Sequence, residues 1–294
     1  MQILLTSVFI LPAALYAASW ALGLRKSPDG SASGNYAGMQ SASVVGDGPG
    51  AVGLSSILLL LALLVHLASL YVAIAPGANV RLGFGHVLSA ALWIGVLLLW
   101  LELDDAHARA MRSMVLPVAA ITALLPLLFP GREVAAIAGR SLLVPHLLVG
   151  ILAYSVLFLA LLHAVLMASA ERQLRAAPVS AAGPFARFLD RLPPLLSMER
   201  MLFRLVGFGF GLLTLTAISG MFYSEQIFGK PFSLDHKTAF TLLAWAVFGV
   251  LLLGRWLRGW RGRTALRLTI VGFVVLLLGY VGSRFVLEAI LGRV

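Results

Sequence analysis

Six histidines are the side chains here best suited to chemistry: His66, His86, His107, His146, His163 and His236. The chain has no cysteine. Thiolate metal sites, disulfides, iron–sulfur ligation and a CxxCH haem-attachment motif are therefore excluded for the chain itself. Five of the six histidines lie in or beside long apolar runs, where an ionisable side chain is costly and marks a functional site by default. His236 stands in Asp235-His236-Lys237, just ahead of an apolar run from Thr238 to Gly254. His146 opens LLVPHLLVGILAY, and His86 lies in GFGHVLSAALW. These three are expected to enter their helices from the same side. His66 falls in the middle of LLLLALLVHLASLYVAI, roughly 20 Å from one end at helical rise. His163 is 17 residues beyond His146, roughly 25 Å along one helix, so the two cannot share an ion. His107, near Asp104 and Asp105, reads as a solvated surface histidine.

The spacing narrows the ligand. Zinc prefers several close nitrogen, sulfur or carboxylate ligands, whereas these histidines are scattered singly, with no HxxxH or HxxE pair. Haem iron needs only one or two axial imidazoles, and its ring takes the apolar and aromatic walls that membrane helices offer. Its propionates would favour Lys230, Lys237, Arg132 or Arg140. A structural polar network, or a pathway for protons or solutes, is left open by the same residues. No nucleophile elbow, phosphate loop or paired intramembrane carboxylates are present, so the chain is not expected to be an enzyme.

The elements that must position these residues are membrane helices. Of 294 residues 60% are hydrophobic and 12% charged, far more apolar than a soluble domain. The expected fold is an all-α, polytopic transmembrane bundle of about eight spans, near 2–22, 53–75, 84–102, 113–130, 143–168, 203–223, 237–256 and 266–289. The first run lacks a basic residue ahead of it, which favours a retained helix over a cleaved leader. With the N-terminus outside, fifteen of the 22 Lys and Arg residues fall on inner loops. The outer side keeps Arg81, Arg132, Arg140, Lys230, Lys237, Arg284 and Arg293. This bias orients the chain with both termini outside. It also accounts for the net charge of +10, so nucleic acid is not an expected partner and membrane lipid is.

One transmembrane domain over 1–294 is expected. Gly/Ser-rich residues 27–50 read as a flexible loop. Residues 170–201 read as a basic inner connection with an interfacial amphipathic helix broken near Pro193 and Pro194, or as a solvated loop. Glu171 and Arg175 have ion-pair spacing on a helix. The seventh run ends in a basic, tryptophan-bearing stop: Arg255, Trp256, Arg258, Trp260, Arg261 and Arg263.

The stretch from Phe228 to Arg263 resembles the cytochrome c assembly superfamily, the membrane haem-handling proteins that include CcsA/ResC and CcmC. The resemblance is carried by Asp235, Lys237, Trp245, Arg255 and Gly259-Trp260-Arg261-Gly262, with Phe228 and Phe232 where two motif tryptophans would stand. His146 with Tyr154, and downstream Gly272-Phe273 and Tyr280-Val281-Gly282, follow the same pattern, giving a family-like core over 143–290. The helix histidine of the larger synthases falls on Leu253, and their C-terminal histidine has no counterpart. The chain therefore looks like the smaller eight-span HemX/YpjD-like branch of the bacterial inner membrane, without synthase activity. The resemblance implies non-covalent haem b, haem handling or c-type cytochrome assembly, and assembly or haem-biosynthesis proteins as partners. On this reading His146 and His236 are the axial ligands, Asp235 holds an imidazole or orients the motif, and Phe228, Phe232 and Trp245 wall the ring. Lys237 is a cation for the propionates, His66 belongs to a deeper site or a polar contact, and His86 is a weaker outer candidate. The alternative is a HemX-like membrane regulator of a haem-biosynthesis enzyme, acting through the basic connection from Arg172 to Arg204.

Overall fold

Apolar runs of some twenty residues can satisfy their backbone groups inside a membrane only as helices, and helices dominate. The structure is a computed structural model describing residues 2–25, 54–75, 80–101, 106–134, 142–175, 194–222, 224 and 235–279. Its helices are α1 (Gln2–Arg25), α2 (Leu54–Ile74), α3 (Phe84–Leu101), α4 (Ala106–Ala123), the one-turn α5 (Leu125–Leu128), α6 (Leu143–Arg175), α7 (Leu195–Phe222), α8 (His236–Arg258) and α9 (Arg263–Leu277). Among the described residues the one departure from an all-helical chain is a ribbon of two three-residue strands, β1 (Val80–Leu82) and β2 (Arg132–Val134). They pair antiparallel with Arg81 opposite Glu133.

Six helical segments among the described residues are long and apolar enough to cross a membrane: Leu54–Ile74, Phe84–Leu101, Met111–Leu128, Leu143–Arg175, Leu195–Phe222 and His236–Arg258. The apolar part of α1, Ser7–Gly23, is shorter, and α9 is described to Leu277. Several boundaries differ from the expected ones. α4 begins at Ala106 and gives way at Leu124 to α5, where Pro126 has no N–H to offer the preceding turn. α7 begins at Leu195, directly after the two prolines, which a first helical turn tolerates. Residues 195–201 thus start a membrane-length helix. α6 runs on to Arg175, and Arg175 meets Glu171 at 2.7 Å. Residues 27–50 and 176–193 lie outside the described residues.

The helices form two rings of four. In the first, α1 packs on α2, α2 on α3, α3 on α4, and α4 back on α1; in the second, α6, α7, α8 and α9 close the same way. The rings meet where α6 packs against α3 and α4. Neighbours within a ring run antiparallel, so His86, His146 and His236 share one end of the bundle and Arg255 the other. Leu92 and Val96 fill the first ring, and Leu157, Leu213, Phe248 and Leu276 the second, each almost wholly buried.

Two prolines inside helices show how lipid-depth backbone is kept satisfied. Pro117 in α4 cannot donate to the Ser113 carbonyl one turn back. The Trp20 indole of α1 donates to that carbonyl at 2.9 Å. Pro12 in α1 likewise frees the Val8 carbonyl, and the Ser69 hydroxyl of α2 donates to it. Each break is repaired by a side chain from the adjacent helix.

At the arginine end, α8 stops at Gly259, whose φ of 63° is a left-handed conformation that glycine adopts freely. The chain turns so tightly that the Trp260 ring lies on Gly254, where any Cβ would collide with it. Arg255 turns inward to Glu199 at 2.6 Å and covers the Phe203 ring at 4.6 Å. Glu171 receives Arg263 at 3.3 Å, tying α6 to the start of α9.

Candidate functional site

Asp235 starts α8. Its carboxylate accepts from the Thr238 backbone N–H at 2.9 Å and from the Thr238 hydroxyl at 2.9 Å, a helix N-cap. Partial burial pushes its carboxyl up. The two Thr238 hydrogen bonds, aided by the charges of Lys237 and His236, outweigh that and hold it below its ordinary value. The Asp-His-Lys triplet is therefore a fixed first turn: His236 is exposed on it, and the Lys237 carbonyl accepts from the Thr241 hydroxyl at 2.8 Å.

His146 occupies the first turn of α6, half-buried against α7. Its Nδ1 lies 2.8 Å from Ser219 Oγ, and a Cβ at Gly220 would come 3.4 Å from its Cε1. Two turns along α6, Tyr154 donates its hydroxyl to the Leu276 carbonyl of α9 at 2.9 Å. The two histidines can be levelled through α7, which touches both helices. Trp245 of α8 donates to Thr214 Oγ1 at 2.9 Å; counting nine residues back to His236 and nine onward along α7 ends about four residues beyond Ser219. His146 and His236 thus attach roughly 6 Å from one another in depth, on the diagonal helices of the second ring.

Trp245 is roughly 14 Å deeper than His236 along α8. It stacks on Phe210 with ring centroids 5.6 Å apart, so its visible contacts join α7 to α8. Phe228 and Phe232 lie outside the described residues.

The other two candidates belong to the first ring. His66 is fully buried, with Nδ1 3.0 Å from the Tyr16 hydroxyl and Nε2 2.8 Å from Ser89 Oγ. Both nitrogens are engaged in a polar contact that stitches α1, α2 and α3. His86 is 1% exposed, and neither ring nitrogen has a hydrogen-bond partner among the described residues; the Ala73 carbonyl of α2 is near it without reaching hydrogen-bond geometry. His86 sits two and a half turns before Gly95, the α3 residue that packs on Leu159 of α6. It therefore lies on the opposite face of α3 from α6. The structure levels His146 with His236 and keeps His66 and His86 apart from them. His163 makes a separate contact, Nε2 donating to the Met198 carbonyl at 2.7 Å, and among the described residues no three His, Asp or Glu side chains cluster as a metal site.

Residues that the sequence reading passed over are Tyr16, Ser89, Ser219 and Glu199. Tyr16, Ser89 and Ser219 are polar side chains inside apolar runs, and Glu199 is an acid beside Arg200 just ahead of one. That was the available signal, but their partners are 23 to 73 residues away.

Comparison with known proteins supplies the remaining observation. Residues 53–291 match the family described as cytochrome C assembly protein. The chain is 30% identical over 191 residues to the inner membrane protein YpjD of Escherichia coli (strain K12), covering 65% of this chain and 66% of that protein. It is 33% identical over 94 residues to the cytochrome c biogenesis protein CcsA of Gloeobacter violaceus, covering 32% of this chain and 28% of that one. An uncharacterised 28.8 kDa protein of Azospirillum brasilense is 34% identical over 147 residues, half of each chain. The chain spans just under two thirds of the length of YpjD.

Proposed function

Because the chain belongs to the cytochrome c assembly protein family, we propose that it binds haem b non-covalently at the histidine end of its second helical ring and assists haem handling or c-type cytochrome assembly. The observation that carries this is the common depth of His146 and His236 on diagonal helices. In a ring with neighbours 8–10 Å apart the diagonal axes lie ~13 Å apart, and two imidazoles facing across that gap can serve one iron from opposite sides.

The donor set fits the group. It offers two singly placed imidazoles, not the compact cluster a zinc ion takes, with the Lys237 cation beside one of them for a carboxylate. Haem held there would supply an iron centre that takes axial imidazoles and changes oxidation state. Asp235 sets the direction of the first turn of α8 and so the position of His236. Partners on this reading are haem, membrane lipid and cytochrome c assembly proteins. The protein acts as a carrier or assembly factor, not an enzyme, in a bacterial inner membrane with eight spans and both termini outside. The Lys and Arg asymmetry supports that orientation.

The test is absorption spectroscopy of the purified protein with added haem. A bis-imidazole spectrum in the wild type that is lost or weakened in His146→Ala and in His236→Ala is expected. An identical spectrum in both variants overturns the assignment.

A further inference from the structure

Helix α7 has a third face beyond the two that pack in its ring. Phe203 and Thr214 look toward α8, under the Arg255 guanidinium and at the Trp245 indole. Gly209 and Thr216 look toward α6, at Leu157 and Gly150. Arg200, Arg204, Phe208, Gly211 and Leu215 recur every three or four residues on the remaining face, and all five are exposed. A Cβ at Gly211 would meet nothing within 4 Å. In a membrane-spanning helix such a face meets lipid.

Two charges stand on that face. Arg204 is nine residues beyond the first of α7, roughly 14 Å along the axis. Laid across a ~30 Å hydrocarbon layer, the 28 residues of α7 leave about 6 Å beyond each edge, so the Arg204 backbone lies within the apolar layer. From that depth a long side chain reaches back to the headgroups. No acid of the protein is left to meet it: Glu199 is held by Arg255 and Arg261, and Glu171 by Arg175 and Arg263. Neither the Arg200 nor the Arg204 side chain makes an ion pair or hydrogen bond among the described residues. A guanidinium facing lipid without a counter-charge is costly. Among the described residues the arginine end of the second ring carries nine arginines against those two glutamates, an excess that a zwitterionic headgroup would leave uncompensated. The exposed Trp256 indole, next in the chain to Arg255, marks the same interfacial level.

We infer that Arg200 and Arg204 hold the phosphate of one anionic phospholipid in the leaflet at the arginine end, with an acyl chain lying along Phe208, Gly211 and Leu215. Guanidinium groups one helical turn apart can take a phosphate between them. The assignment is independent of haem.

The test is native mass spectrometry of the full chain, delipidated in detergent and mixed with equal amounts of phosphatidylglycerol and phosphatidylcholine. Preferential retention of phosphatidylglycerol is expected in the wild type. Each arginine should contribute about 5-fold of that preference. Arg204→Gln should therefore lower it about 5-fold, and the double variant Arg200→Gln, Arg204→Gln should bring it near parity. Arg204→Lys keeps the charge and should retain part of it. Arg267→Gln removes a charge that is also exposed, but from α9, the helix diagonal to α7, and should change the preference less than about 2-fold. Equal retention of the two lipids by the wild type overturns the inference. So does an Arg267→Gln loss as large as that of Arg204→Gln, which would reduce the effect to net charge. Excess inorganic phosphate during mixing should leave the lipid bound; its displacement would assign the arginines to a free anion and overturn the lipid. A wild-type dimer carrying no phosphatidylglycerol would give the face to a second copy of the chain and overturn it equally.

Discussion

Arg255 and Glu199 meet at 2.6 Å across the arginine ends of α8 and α7, the arginine side chain 26% exposed and the glutamate 9%. The pair is sheltered, and Glu199 has a second cation, Arg261, at 3.6 Å. Removing the carboxylate strands a guanidinium over the Phe203 ring. Glu199→Gln should destabilise the protein by about 2 kcal/mol, below the full cost of breaking a buried pair because both partners retain some solvent. The double variant Glu199→Gln, Arg255→Gln should lose less than the two single variants summed, measured by thermal unfolding in nanodiscs.

The Trp20 indole replaces the helical donor that Pro117 cannot supply to Ser113. Trp20→Phe should cost about 1–2 kcal/mol by leaving that carbonyl unsatisfied. In a Pro117→Ala background a backbone N–H returns to the same carbonyl. The Trp20→Phe penalty should then shrink to a fraction of its original size in a double-mutant cycle.

Tyr16 and Ser89 engage both nitrogens of His66 in the first ring. Tyr16→Phe should destabilise by about 1–2 kcal/mol, the penalty for an orphaned buried nitrogen. His66→Leu should leave any haem spectrum unchanged. A His66→Leu protein that folds yet has lost the spectrum would move the ligand site to the first ring.

Asp235 caps α8 through its carboxylate. Asp235→Ala should cost about 1 kcal/mol at neutral pH, and Asp235→Asn, which also caps, much less. The folded pKa lies below the ordinary carboxylate value, so the folded state favours the ionised form. This contribution is complete above about pH 4 and is lost as pH falls through the lowered value. Wild-type stability should therefore drop below about pH 4 more steeply than that of Asp235→Asn, followed by helical circular dichroism against denaturant.

Much of the bundle can be read from hydropathy, because a run such as LLLLALLVHLASLYVAI has no other stable form in lipid. The Asp235 boundary is legible for a different reason: a capping residue three positions before Thr238 is a local signal. What hydropathy cannot supply is which face of a helix meets which neighbour. His86 and His146 enter from the same end, yet α3 turns His86 away from α6. Arg255 reads as an interfacial anchor from its run of arginines and tryptophans, but it folds inward because Glu199, 56 positions earlier, is buried beside it. Each difference turns on a contact between residues far apart in the chain.

The 33 residues of α6 span about 50 Å as a helix, while the hydrocarbon core of a bilayer is ~30 Å thick. It must lean or stand proud by several turns, and it is the helix at which the halves of the molecule adjoin. Its Arg175 end and its His146 end therefore lie near opposite membrane surfaces, with the close approach of Gly95 and Leu159 between them.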